Sequence, residues 1–352
     1  MATLRDIARR AAVSTATVSN VLNDSLYVSP TLRARVQAAA AELNYRPNVV
    51  ARSLRVKRSY TVGLVVPDVT DPFFPAVVRG AEDVLTRAGF TLIIGNSDND
   101  PAKEEAYYQT FLERQIDGLL TVPTSDSAPA VVRRFHERGI AVVYVDRFHV
   151  HMPGDIVMAD DLGGSQRCVR HLVATGHQRI ATITGPLKLF NARARLEGYR
   201  RALRQAGLPA DEQLIREGAF DVASGHQRTR ELLSLKSPPD ALFVANGLMG
   251  CGALQAIGEA HRTCPGDLAL ACFDRLEFFD LLRPRLTGVV VRPYDLGARG
   301  AELVLKRVAG QLTGLGRRYL LSTRLVRRES TARRTMNTKA RRKDKPALRR
   351  PR

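Results

Sequence analysis

The chain has 352 residues, 44% of them hydrophobic, and carries 54 Lys and Arg against 35 Asp and Glu, a formal charge of +19. That is enough apolar material to core two or three domains, while no run approaches the roughly eighteen apolar residues of a membrane span, so a membrane-spanning protein is excluded. Its four cysteines, Cys168, Cys251, Cys264 and Cys272, lack C-x-x-C spacing and a nearby histidine pair, which leaves them as reduced thiols with no metal or cofactor implied.

The charge is uneven. Residues 1–60 hold ten Lys/Arg and three acids, residues 331–352 hold ten and one, and the stretch between is nearly neutral. A basic head before a near-neutral body points to phosphate contact at the head, with an affinity that falls steeply with salt. No charged-then-apolar export signal precedes the first apolar-periodic stretch, so a cytoplasmic location is expected.

Residues 1–23, MATLRDIARRAAVSTATVSNVLN, place two short apolar sets at helical spacing around a tight connection, the pattern of a helix-turn-helix. Leu4, Ile7, Ala8 and Ala11 define the first helix, and Thr3 with Asp6 has capping-box spacing. Val13 lies in the turn, Ser14 suits the cap of a second helix, and Val18, Val21 and Leu22 give that helix a buried face. Thr15, Ala16 and Asn20 then fall on its exposed side, where a recognition helix presents small and polar side chains to base edges in the major groove. An ordinary helical hairpin shares this periodicity. Ser29-Pro30 next supplies a cap and a proline at the first helical position, and Leu32, Val36, Ala39, Ala40 and Leu43 mark a third helix to about Asn44. Residues 1–46 thus read as one small all-α domain.

The following segment is NYRPNVVARSLRVKRSYTVGLVVPD, in which Asn48 to about Arg55 is helical by composition but too short to stand alone; composition by itself favours a plain linker. Taken together, VSTATVSNVLN and NYRPNVVARSLR resemble the LacI family of bacterial transcription regulators, and the likeness spans nearly the whole chain. It implies a recognition helix contacting DNA through Ser14, Thr15, Ala16, Thr17 and Asn20. It also implies a hinge helix in residues 47–60 carrying Arg52, with Leu54 as a wedge that parts a central base step, a kink whose cost of a few kcal/mol is offset by the contacts it permits. Such a protein is a homodimer on double-stranded DNA, at a near-palindromic operator with half-sites about one helical turn apart.

From Tyr60 onward apolar runs alternate with amphipathic helices, the texture of parallel sheets with crossover helices. Strands are expected at TVGLVVP, TLIIGN, GLLTVP, AVVYVD, IATITG, ALFVAN and LALACFD. These exceed one sheet's worth and suggest two doubly wound α/β lobes, whose ligands bind beyond the carboxyl ends of the strands. The resemblance implies a periplasmic-binding-protein-like effector and dimerisation domain at 61–330, with crossings near Asp160, Arg292 and Leu321. The N-lobe would be about 61–160 and 293–321, the C-lobe about 161–292 and 322–330.

Several residues sit at those strand ends. Phe73 and Phe74, in Asp71-Pro72-Phe73-Phe74, suit the apolar face of a sugar ring or base, although a Phe pair is also good core. Asp146, Asn246 and Asp274 close YVD, VAN and CFD, where carboxylates accept hydroxyl hydrogens and an amide both donates and accepts. By resemblance Arg195 contacts the effector and Phe220 stands where the family places an aromatic. Gly247 occupies a position where the family commonly has Asp. Lys188, Arg147 and Arg275 add positive charge nearby and hint at an anionic effector such as a sugar acid or sugar phosphate, although surface basics usually face solvent or pair with acids.

Enzymatic readings lack their motifs: there is no G-x-S-x-G, no G-x-x-x-x-G-K-[ST] and no H-E-x-x-H. GLMGCGALQAIG resembles a dinucleotide loop only loosely and is better explained by helix packing. The expectation is therefore a DNA-binding repressor, not an enzyme, with no catalytic residues, no cofactor and no membrane partner, controlled by a sugar or sugar derivative between two lobes. The alternative, a small-molecule binding protein without regulatory DNA binding, leaves the first sixty residues unexplained. Residues 331–352, rich in charge and poor in large apolar groups, read as a basic disordered tail.

Overall fold

In the computed structural model the described residues are 2–23, 27–45, 58–274 and 277–332. They fall into two units, Met1–Ser59 and Tyr60–Arg352.

In the first unit, α1 (Leu4–Arg10), α2 (Thr15–Asn23) and α3 (Pro30–Glu42) pack on one another. The capping box forms: Asp6 N donates to Thr3 Oγ1 at 3.3 Å and Thr3 N donates to Asp6 Oδ2 at 2.9 Å. Ser14 Oγ accepts from Thr17 N at 3.0 Å and closes the first turn of α2. Ser29 corrects its expectation. Its backbone takes the cap position at φ −54°, ψ 147°, but its side chain makes no capping bond. The third helix also stops at Glu42 rather than near Asn44, which turns left-handed at φ +47°. Ile7, Val18 and Val36, one from each helix, are fully buried, and Ala8, Ala11, Val21 and Ala39 close around them. Burial of each branched side chain contributes roughly 1.5–3 kcal/mol. From α3, Arg35 Nη2 donates to the Ala11 carbonyl at 2.5 Å and satisfies the exposed end of α1.

The second unit holds two six-stranded sheets. The first contains β1 (Thr61–Val66), β2 (Thr91–Asn96), β3 (Gly118–Thr121), β4 (Ala141–Val145), β5 (Asp155–Ala159) and β11 (Arg318–Leu321), in the order β11-β5-β4-β3-β1-β2. The second contains β6 (Ile180–Thr184), β7 (Ile215–Glu217), β8 (Ala241–Val244), β9 (Ala269–Cys272), β10 (Thr287–Val290) and β12 (Arg324–Val326), in the order β12-β10-β9-β8-β6-β7. All neighbours are parallel except β10 with β12. Between the strands of the first sheet run α4 (Phe73–Arg87), α5 (Pro101–Glu113) and α6 (Ala130–Glu137), joined later by α11 (Pro293–Val308). The second sheet carries α7 (Asp161–Ala174), α8 (Phe190–Gln205), α9 (Val222–Leu233) and α10 (Gly247–Glu259). The chain leaves the first sheet at Asp160, returns at Arg292 and crosses again between Leu321 and Arg324.

Long buried runs such as TVGLVV announce their strands; β5, β7, β10, β11 and β12 do not. They span only three to five residues, and β5 opens on an acid. Asp155 is buried because Arg307 grips it, Nε to Oδ2 at 2.8 Å and Nη2 to Oδ1 at 3.1 Å, while Arg317 N adds a third bond to Oδ1 at 2.9 Å. A charge that reads locally as loop is thus a satisfied strand terminus.

Candidate functional site

On the first unit, Ser14, Thr15 and Ala16 are exposed at the start of α2, whereas Thr17 and Asn20 are half-buried. Thr17 Oγ1 lies 2.9 Å from Ser14 Oγ, so its hydroxyl serves the helix start. The small exposed side chains leave that turn open to close approach. Arg52 and Leu54 lie outside the described residues.

On the second unit, Phe73, Phe74, Asp146, Arg195, Phe220, Asn246 and Asp274 all line one cleft between the two sheets' strand ends, together with Asp71, Arg147 and Asn191. The space within it, including the part open to solvent, is about 290 Å³. The chain brings the side chains there by local strain: Asp146, Phe220 and Asp274 follow β4, β7 and β9 with φ of +63°, +67° and +58°. Gly185 makes room for Phe220, since a Cβ there would stand 1.9 Å from the ring. Phe73 and Phe74 are nine-tenths buried and belong to the core while also lining the cleft.

The polar groups of the cleft divide into those already satisfied and those not. Asn246 Oδ1 accepts from Met249 N at 2.9 Å and Nδ2 donates to the Phe220 carbonyl at 2.8 Å, so Asn246 caps α10 and fixes Phe220. Gly247 is the first residue of that helix. Arg195 Nε donates to Asp161 Oδ1 at 2.8 Å and Nη1 to the Ala245 carbonyl at 2.7 Å, with the guanidinium 4.1 Å from the Phe273 ring centre. Asn191 Nδ2 donates to Asp146 Oδ2 at 3.0 Å. In contrast, Asp146 Oδ1 and Arg147 Nε and Nη1 are buried with no hydrogen-bond partner. Arg147 sits between Phe74 and Phe220, 5.8 and 5.6 Å from their ring centres.

Burial pushes the Asp274 carboxyl up to about 7, with Asp71 and Asp146 adding to the rise and Arg195 opposing it. Burial likewise raises Asp71. It raises Asp161 too, against the pull of the Arg195 guanidinium. Arg147 is lowered by burial, partly offset by Asp146. Of the three basic residues that hinted at an anion, only Arg147 lines the cleft; Lys188 is exposed, and Arg275 lies outside the described residues.

Residues 3–48 match the bacterial regulatory proteins of the lacI family, and residues 169–331 match the periplasmic binding protein-like domain. Over 310 residues the chain is 34% identical to the ribose operon repressor of Escherichia coli (strain K12), which covers 88% of this chain and 93% of that protein. The chain belongs to the lacI family. The Lac repressor dimer bound to operator and the anti-inducer ONPF is similar in structure, at 28% identity and a TM-score of 0.84 over 94% of this chain and 99% of that one. So is a LacI family transcriptional regulator from Enterococcus faecium with bound ribose, at 29% identity and 0.71 over 78% and 99%.

Like its lacI-family relatives, the chain is a DNA-binding transcriptional repressor and not an enzyme. Two cleft residues, Asp71 and Asn191, escaped the sequence reading as candidates, and Arg147 entered it only as a charge beside the pocket. Asp71 stood in the quoted aromatic motif and Arg147 directly after Asp146, so adjacency was the available signal. Asn191 lies on a helix and gives no such sign.

Proposed function

We propose that this repressor is controlled by a neutral pentose, ribose or a close relative, held in the cleft. The observation that carries this reading is the unsatisfied pair at its centre, Asp146 Oδ1 beside Arg147 Nε and Nη1, flanked by the rings of Phe74 and Phe220. A sugar ring offers what these groups lack: hydroxyls that donate to the carboxylate and accept from the guanidinium, with C–H faces for the aromatics. An anion would have to settle beside the carboxyl groups of Asp71, Asp146 and Asp274, which line the same cleft as Arg147 and Arg195. Two of the relatives above are named for, or hold, ribose.

On this reading Ser14, Thr15, Ala16, Thr17 and Asn20 of a homodimer meet a near-palindromic operator, residues 47–60 form the hinge with Arg52 and Leu54 on the DNA, and the effector acts by favouring one arrangement of the lobes. The protein works in the cytoplasm, where its operator is. No helix among the described residues is long and apolar enough to cross a membrane.

The test is a thermal melt of the full chain with ribose, ribose 5-phosphate, other pentoses and cellobiose, because a ligand at a hundred times its Kd adds about 2.7 kcal/mol of stability. Ribose raises the melting temperature and its phosphate does not. A shift with the phosphate alone would end the neutral-sugar reading, and titrating the hit against operator DNA distinguishes inducer from co-repressor.

A further inference from the structure

The helices of the second sheet differ in how they begin. Asp160, Asp221 and Asn246 stand before α7, α9 and α10, and each side chain accepts a backbone N–H from the first turn of its own helix. Leu189 stands before α8 and has no side-chain acceptor to offer. The acceptor for that helix comes from the other sheet: Asp126, in the loop between β3 and α6, takes Phe190 N on Oδ1 at 3.1 Å. Its Oδ2 accepts from Arg193 Nη2 at 2.5 Å, an ion pair in which the carboxylate is 14% and the guanidinium 45% exposed. A carboxylate at that end also suits the helix dipole. The loop is braced from behind, since Val150 N donates to the Asp126 carbonyl at 2.8 Å, and the Phe190 ring packs on Phe148 with centres 4.8 Å apart. Phe190 and Arg193 flank Asn191, and Arg195 follows; Asn191 and Arg195 both line the cleft.

We propose that Asp126 is the latch of the cleft, a cap and counterion supplied to α8 by the opposite lobe and removed whenever the lobes part. The inference rests on the reading of the cleft as the effector site. Nine of the ten residues lining the cleft are more than nine-tenths buried, so a sugar enters or leaves only when the strand ends of the two sheets separate. Separation breaks both bonds to Asp126 and strands Phe190 N at the start of a helix with no cap of its own. The latch therefore opposes opening. Because the empty and the filled closed cleft make it alike, it slows both entry and exit while leaving affinity unchanged, so long as the open form is the minor one. Asp126 stands outside the cleft lining, so it acts on the lobes and not on the sugar.

The experiment compares the full chain with its variants D126A, D126N and R193A. Calorimetry with ribose gives Kd, and NMR line shapes of the sugar give the dissociation rate, from which the association rate follows. Hydrogen exchange of the sugar-free protein is read over residues 71–77, 144–149 and 218–222 on the two walls of the cleft, and over 187–194 at the helix start. Losing the cap and the ion pair together raises the open population about tenfold, so D126A speeds ribose association and dissociation alike by about that factor, leaves Kd little changed and accelerates exchange on both walls. D126N keeps an acceptor for Phe190 N and R193A keeps the carboxylate, so each shifts the rates only about threefold, and both carry the test if D126A does not fold. Exchange accelerated over 187–194 alone would make Asp126 a helix cap and no latch, and a Kd weakened through dissociation alone would make it a sugar contact. Either overturns the proposal, as does a D126A indistinguishable from the unaltered chain. If ribose does not bind the unaltered chain, the reading of the cleft fails while the exchange comparison still decides the latch.

Discussion

Arg195 and Asp161 meet at 2.8 Å with both side chains almost fully buried, joining α8 to the first residue of α7 just after the chain enters the second sheet. Removing one partner of such a pair strands a charge in low dielectric, at a cost of about 3–5 kcal/mol. Asp161→Ala is expected to lower stability by that amount in denaturant titration, whereas Asp161→Asn, which keeps an acceptor for the guanidinium, costs less. Equal losses would mean that packing, not the charge, carries the effect.

Arg147 offers a sharper test of the cleft. Lysine keeps the positive charge but loses the planar fork whose Nε and Nη1 lack hydrogen-bond partners, Nε standing 3.7 Å from Asp146 Oδ2. Arg147→Lys should therefore weaken the effector's Kd roughly 10–100-fold, about 1.4–2.8 kcal/mol, with little change in operator affinity of the sugar-free protein. Calorimetric titration of both proteins with ribose checks this, and equal affinities would place the sugar elsewhere.

Behind the cleft, Glu104 and His149 are buried 4.0 Å apart with opposite perturbations. Burial raises Glu104 to about 7 from its usual 4.5, and burial lowers His149 to about 4 from 6.5. Between pH 4.5 and 7 the folded Glu104 keeps a proton the unfolded chain has lost, so its contribution to stability shrinks as pH rises through that window. Between pH 6.5 and 4 the unfolded His149 takes a proton the folded one refuses, so its contribution shrinks as pH falls. The two slopes oppose each other. Glu104→Gln should expose a loss of stability on acidification from pH 6.5 to 4, and His149→Gln a loss on raising pH from 4.5 to 7; parallel profiles for both variants would contradict the assignment.

Ala12 holds a left-handed turn between α1 and α2 at φ +47°. A Cβ in that region costs roughly 1–2 kcal/mol, only part of which glycine returns to the unfolded chain as entropy. Ala12→Gly should raise the stability of the head by up to about 1 kcal/mol, read from its melting transition. A fall instead would mean that the turn tolerates Ala12 without strain.

Asn20, on α2, is the polar side chain suited to pair bidentately with adenine. Asn20→Ala should cost about 1–3 kcal/mol at one base position and relax the preference there, as base selection from randomised operators would report. An unchanged selected sequence would remove Asn20 from the base-reading set.

The head was legible because its information is local: the Thr3–Asp6 box, Ser14 and the positions of Ile7, Val18 and Val36 lie within a turn or two of what they specify. Ser29-Pro30 marks the helix start, but residue type alone does not say whether the side chain turns in to cap, as Asp100 before Pro101 does and Ser29 does not. In the second unit the buried apolar runs announced central strands, but β5 depends on Arg307, which is 152 residues from Asp155, and no local pattern carries that pairing. The cleft followed the same rule. Residues ending strands could be named one by one, whereas Asn191 reaches Asp146 from a helix in the other half of the fold, and the satisfied state of Asn246 depends on the carbonyl of Phe220.

The left-handed backbone at positions 146, 220 and 274 restricts how this cleft can diversify. Aspartate and asparagine visit that conformation at modest cost, while β-branched residues are strongly disfavoured there. The two strand ends that present Asp146 and Asp274 therefore draw on a short alphabet. Phe220, a bulky exception kept by the space over Gly185, has few viable replacements. A lineage acquiring a new effector would have to do so mainly through neighbours with ordinary backbone, such as Asp71, Phe74, Arg147 and Asn191, while the three strained positions stay nearly fixed.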